Sequence, residues 1–234
     1  MDKQKLIDEI VQYFDENIAQ VHQENLINKH AKLSSYQINP ILVKYLSQLI
    51  ESGITEEGIA KALFYPRALG TSITGSFGSK FQKMLVDLGL VKGSLIPGMD
   101  IEYQDKLDGR DKYCQLKSGP NTINSKDVDP MLSEFDKVAN LARANSSKDF
   151  SNNDLVVGIM YGDKDQLSAH YLRIDERYPV IIGQEFWERI TGYPSFYGEL
   201  ISSIDDLIDS MPFSDSFQSA YHKLVSEIRA ANLI

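Results

Sequence analysis

The chain has 234 residues, of which 42% are hydrophobic, 24% charged and 10% aromatic, enough to bury a sizeable core and too apolar for a mostly disordered polymer. Its single cysteine, Cys114, excludes an internal disulfide and any multi-cysteine zinc site, and its four histidines form no HxH or HxxxH pair. A net charge of −9 argues against a generally basic nucleic-acid-binding surface; with no apolar stretch near the ~18 residues of a membrane span and no signal-peptide pattern at the start, a soluble cytoplasmic protein is expected.

Ile7, Ile10, Val11, Phe14, Ile18 and Val21 recur at spacings of three and four and predict an amphipathic helix. Polar residues 31–37 should break it. Asn39-Pro40 combines N-cap chemistry with proline at the first helical position, so a second helix follows, with Ile41, Leu42, Tyr45, Leu46, Leu49 and Ile50 as its apolar stripe up to Gly53. Thr55 should cap a third helix that Pro66 stops. A Gly/Ser/Thr loop over residues 70–78 is expected next, then a short helix presenting Phe77, Phe81, Met84, Leu85 and Leu88 inward and ending at Gly89. The order Gly-Ser-Lys at 78–80, with no strand before it, excludes a nucleotide-binding phosphate loop. After Pro97-Gly98 the hydrophobic period falls to two, predicting strands over 99–104 and 112–117 around the turn former Asp108-Gly109. A helix over 130–144, a buried strand over 155–161, weaker strands over 169–174 and 180–182, and a helical C-terminal third from Gln184 complete the reading. The fold class is therefore α/β, a β-rich core between helical N- and C-terminal segments.

Charge is unevenly spread along this chain. Residues 58–86 contain no acid, while Lys61, Arg67, Lys80 and Lys83 give that stretch a charge of +4. Acids collect near the two ends, in Asp8, Glu9, Asp15 and Glu16 and in Asp205, Asp206, Asp209 and Asp215. An acidic protein with one basic segment can still hold a polyanion locally, although a solvated face is the plainer account.

The chemistry centres on the hairpin. Asp100 lies on its first strand, and Gln115 and Lys117, two residues apart on the second, leave the same face. An acid beside a polar-x-lysine pair suits a metal-dependent nuclease: the carboxylate and a second oxygen ligand hold a hard cation such as Mg²⁺, and the lysine orients the attacking water and offsets charge on the pentacovalent phosphate. The plainer alternative is an ordinary exposed hairpin.

Met99-Asp100 … Gln115-Leu-Lys117 resembles a variant of the PD-(D/E)xK motif of type II restriction endonucleases. Four stretches are similar, in order, to the EcoO-type branch that cuts GGNCC-containing sites: residues 74–78 (Thr-Gly-Ser-Phe-Gly), 115–124 (from Gln115 to Asn124), 153–162 (from Asn153 to Gly162) and 182–187 (Ile-Gly-Gln-Glu-Phe-Trp). The resemblance implies a restriction-endonuclease-like mixed β-sheet core flanked by helices, with Asp100 as metal-binding acid and Lys117 as catalytic lysine. Two departures are visible: Met99 stands where the family has proline, and Gln115 where it usually has Glu or Asp. An amide oxygen can ligate Mg²⁺ but brings no charge, and Glu102 is the candidate to restore it, unless it is a solvated strand carboxylate. Gln82 falls where such folds often carry an accessory acidic residue. Ser118, Asn121, Thr122, Asn124 and Lys126 leave the catalytic strand with groups able to reach phosphate or base edges, or else form a plain turn and helix entry. Arg67, Lys80 and Lys83 would face the DNA backbone.

The resemblance thus implies a Mg²⁺-dependent, site-specific double-strand endonuclease of a restriction-modification system, working as a homodimer on duplex DNA without membrane or nucleotide cofactor. Residues 1–65 would form a helical region for DNA wrapping or dimerisation, 66–200 the nuclease core, and 201–234 helices on the core or dimer interface. A repair or recombination nuclease of the same superfamily is the alternative among enzymes. A non-catalytic DNA-binding or assembly protein is the alternative outside them.

Overall fold

A computed structural model describes residues 2–145, 150–211 and 213–233, without the side chains of residues 71, 72, 74–76, 213 and 214. The expected resemblance-bearing side chains of Thr74 and Ser76 therefore lie outside the described residues. The elements in chain order are α1 (Lys3–Phe14), α2 (Gln20–Asn25), α3 (Pro40–Glu51), α4 (Glu56–Pro66), α5 (Ser72–Asp87), β1 (Lys92–Gly93), β2 (Ile101–Gln104), β3 (Asp111–Lys117), α6 (Ser125–Ala144), β4 (Leu155–Ile159), α7 (Ala169–Asp175), β5 (Val180–Ile182), α8 (Gln184–Thr191), α9 (Phe196–Ser210) and α10 (Phe213–Ala230). They form two compact units, one of residues 1–10 and 81–205, the other of residues 11–80 and 206–234.

The first unit holds a five-stranded sheet in the order β1-β2-β3-β4-β5. β1, β2 and β3 are antiparallel neighbours, and β3, β4 and β5 run parallel. The parallel joints need crossovers, and α6 and α7 supply them. On one face Leu155, Val157, Ile159, Val180 and Ile182 pack beneath Phe135 and Val138 of α6 and Tyr171 and Ile174 of α7. On the other, Phe186 of α8 closes on Gly158 and Cys114. Burial pushes the Cys114 thiol far up, so it is an inert core residue.

Local chemistry explains most boundaries. Asn39 accepts from the Ile41 and Leu42 amides ahead of Pro40, and Thr55 accepts from Gly58 N–H, as N-caps do. Gly109 takes φ +72° in the hairpin loop, a conformation that favours glycine. Three expectations are corrected and a fourth is qualified. Pro66 is the last residue of α4, as expected, but the helical path does not stop there: the chain widens into a π-helical turn at Arg67–Thr71 and continues into α5, accommodating the bond that proline cannot donate. Residues 70–78 are therefore helical rather than a loop. The helix expected from 130 starts at Ser125, because Asn124 and Asp127 form a capping box five residues earlier. Residues 169–174 are helical, not a strand, and bury Tyr171 and Ile174 at an i, i+3 spacing.

In the second unit, α4 packs on α3 and α10. Ser47 is buried against Gly58, where a Cβ would collide with its hydroxyl. That close approach turns the narrow Val43–Ser47 side of α3 inward and leaves its apolar stripe exposed, with Ile41 82% and Leu49 69% accessible. The core is Leu26, Ile59, Phe64, Leu224 and Ile228 with their neighbours.

At the turn end of the β2–β3 hairpin, Arg110 donates to both carboxylate oxygens of buried Asp154, and buried Lys112 reaches Asp108, Asp154 and the Asn153 carbonyl. Burial alone would raise the Asp154 carboxyl; bonds from Arg110 and the Ser151 N–H and the charges of Arg110 and Lys112 outweigh it and hold the pKa below the usual carboxylate value. Asp154→Asn should therefore cost the sheet unit about 3 kcal/mol in urea unfolding at neutral pH. The depressed pKa makes this contribution present above the ordinary carboxylate range and lost as pH falls through the folded value, so the two proteins should converge in acid.

Candidate active site

The site forms where β2 begins and β3 ends. The backbone N–H of Asp100 donates to Cys114 O (2.9 Å), and Ile101 is also paired with Cys114. Two residues thus address one, as in a β-bulge, a device that re-aims a side chain beside a working site. The Asp100 carboxylate consequently reaches β3, where Oδ2 accepts the Leu116 N–H at 2.7 Å. Leu116 lies between Gln115 and Lys117, so the structure brings all three predicted groups to one short stretch of sheet. Gln115 is 6% exposed and Lys117 is half-buried. Gln82, on α5, donates to the Asp100 carbonyl at 3.3 Å, which ties the expected accessory residue to the backbone of the acid. Glu102 lies opposite Tyr113, and its carboxylate accepts the Ser94 hydroxyl at 2.6 Å.

The loop after β3 is internally braced. Thr122 Oγ1 donates to Gly119 O (3.0 Å) and lies 2.8 Å from the hydroxyl of buried Tyr171. Asn124 caps α6 with its side-chain oxygen. Ser118 is half-buried, and Asn121 and Lys126 are exposed. Tyr161, which the sequence did not single out, lies against this loop: a Cβ on Gly119 would overlap its hydroxyl and ring.

Two lysines of the acid-free segment are paired by acids just outside it, Lys61 with Glu51 and Lys83 with Asp87. Lys80 is half-buried and Arg67 exposed; Arg67 donates to Ser35 O and stacks over the Tyr36 ring. Arg67 and Lys80 belong to the second unit, Lys83 to the first.

Among the described residues no three His, Cys, Asp or Glu side chains converge as a metal site. The donors present, one carboxylate and one amide oxygen, are hard oxygen ligands of the kind Mg²⁺ accepts when water and substrate phosphate supply the rest.

Compared with known protein families, the chain matches the one described as Type II restriction endonuclease EcoO109I over residues 8–209. The chain belongs to that family. EcoO109I-family membership makes it a type II restriction endonuclease, a site-specific deoxyribonuclease, with DNA as its partner. The matched span includes Asp100, Gln115, Lys117 and every element of the sheet. No curated protein matches the chain. Among the described residues no helix is long and apolar enough to cross a membrane.

Proposed function

We propose that the chain is the nuclease of a restriction-modification system and hydrolyses both strands of a specific duplex sequence in the cytoplasm, with Mg²⁺ held by Asp100 and Gln115. The observation that carries this reading is the Asp100 carboxylate bonded to β3 beside Gln115 and Lys117 in a chain of the EcoO109I family. The Leu116 N–H orients the carboxylate through Oδ2. When bound, Mg²⁺ supplies positive charge at the scissile phosphate and makes water easier to deprotonate. Lys117 orients the attacking water and offsets the negative charge that builds on phosphorus. Gln115 contributes an oxygen without charge, and Gln82 steadies Asp100 through its carbonyl.

Double-strand cleavage by a chain with one such set calls for two copies about a two-fold axis that matches the duplex. The uncovered stripe of α3 supports a homodimer, since five large apolar side chains on one helix are costly to leave in water. Gln115 in place of an acid favours the second reading, a DNA-binding protein without cleavage.

Digestion of DNA of known sequence with Mg²⁺, followed by end mapping, separates the readings: discrete fragments with one repeated end sequence are expected. Lys117→Ala should abolish cutting while leaving binding within a few-fold of wild type in Ca²⁺. Cutting by the variant at near wild-type rates would remove the lysine from the chemistry.

The basic segment gives a second expectation, on electrostatics. A lysine that touches phosphate changes the salt slope of log K by about 0.9 when removed. Lys80→Ala should lower the slope's magnitude by that amount. Lys83→Ala should lower it less, because Asp87 already neutralises that charge. Equal, unchanged slopes across a salt series would put the DNA elsewhere.

A further inference from the structure

Two tyrosines lie at the loop that follows Lys117, and they are used differently. Tyr171 is fully buried and its hydroxyl is engaged by Thr122. Tyr161 is 46% exposed, and among the described residues its hydroxyl has no hydrogen-bond partner. Its backbone is nonetheless fixed on both sides: the Trp187 indole N–H donates to Met160 O at 2.9 Å, and Gly162 N–H donates to the Tyr197 hydroxyl at 3.3 Å.

The sheet register says where that ring stands. Lys117 is paired with Ile159, the last pair of the parallel β3–β4 ladder, and Met160 N–H donates to Lys117 O to close it. β3 ends at Lys117 and β4 at Ile159, so Gly119 and Tyr161 each lie two residues past that last pair. The clash that a Gly119 Cβ would make with the Tyr161 hydroxyl and ring confirms this neighbourhood independently. Glycine at 119 leaves the space in which the phenol lies. Lys117, as the last residue of β3, and the phenol over Gly119 thus both lie at the carboxyl ends of parallel strands, the end at which open α/β sheets bind ligands.

A hydroxyl donor on a fixed backbone, lying over the residue two beyond a lysine that must meet a phosphate, is suited to a neighbouring phosphate of the same strand. Resting on the nuclease reading, we propose that the Tyr161 hydroxyl donates a hydrogen bond to a DNA phosphate adjacent to the scissile one, and that Gly119 is required to seat it there.

The test compares the full-length wild type with Tyr161→Phe, Tyr161→Ala, Gly119→Ala and the Gly119→Ala/Tyr161→Ala pair. Readouts are duplex affinity in Ca²⁺, kcat/KM in Mg²⁺ and thermal midpoint. A hydrogen bond to a charged group predicts about a tenfold loss in affinity and kcat/KM for Tyr161→Phe, with the midpoint unchanged. Gly119→Ala should lose as much by displacing the ring, and adding it to Tyr161→Ala should cost nothing more. A wild type that cuts DNA, with Tyr161→Phe within twofold of it in both readouts, would overturn the assignment, leaving the ring as packing or a base-stacking surface. A wild type that neither binds nor cuts DNA would overturn the nuclease reading and this assignment together.

Discussion

The attachment of Asp100 to β3 is the contact on which the site depends. One amide and one carboxylate oxygen of a single residue grip the neighbouring strand at Cys114 and Leu116, and this grip determines what stands beside Gln115 and Lys117. A slip of one residue in β3 would turn Gln115 and Lys117 into the apolar core and bring Cys114 and Leu116 to the site. The far end of the same hairpin resists such a slip, because Lys112 and Asp154 are buried and satisfied in only one register. Stability at the hairpin turn and geometry at the site are thus two ends of one constraint, and neither relies on a loop closing.

The charge of the site follows from its composition. With Gln115 neutral and Glu102 turned to Ser94, Asp100 is the acid bonded to the end of β3 that carries Gln115 and Lys117. On the proposed reading, a site of this kind gains from a substrate that brings its own anionic oxygens, and metal affinity is tied to DNA binding. The same economy runs through the basic segment, where acids just beyond its ends pair with Lys61 and Lys83. A chain with a net charge of −9 therefore offers DNA fewer unpaired cations than its acid-free stretch promises.

Features built from neighbours in sequence were legible before folding. Asn39-Pro40, Thr55, the turn at Asp108-Gly109 and the same-face pair Gln115/Lys117 are local chemistry, and each is realised. What was misread depended on distant partners. Residues 70–78 have loop composition but helical backbone, since packing overrides glycine's weak propensity, and the short 169–174 segment becomes a helix by burying two side chains one turn apart. The Leu116 bond to Asp100, the Ser94 partner of Glu102 and the placement of Tyr161 over Gly119 all join separate strands or loops, and no spacing along the chain announces them.

Calorimetric titration of Mg²⁺ into the wild type and Gln115→Glu, each free and bound to an uncut duplex analogue, tests the account most directly. Weak binding by the free wild type, tighter binding by free Gln115→Glu, and strengthening of the wild type by DNA are expected. Tight Mg²⁺ binding by the free wild type, unaffected by the substitution or by DNA, would contradict it.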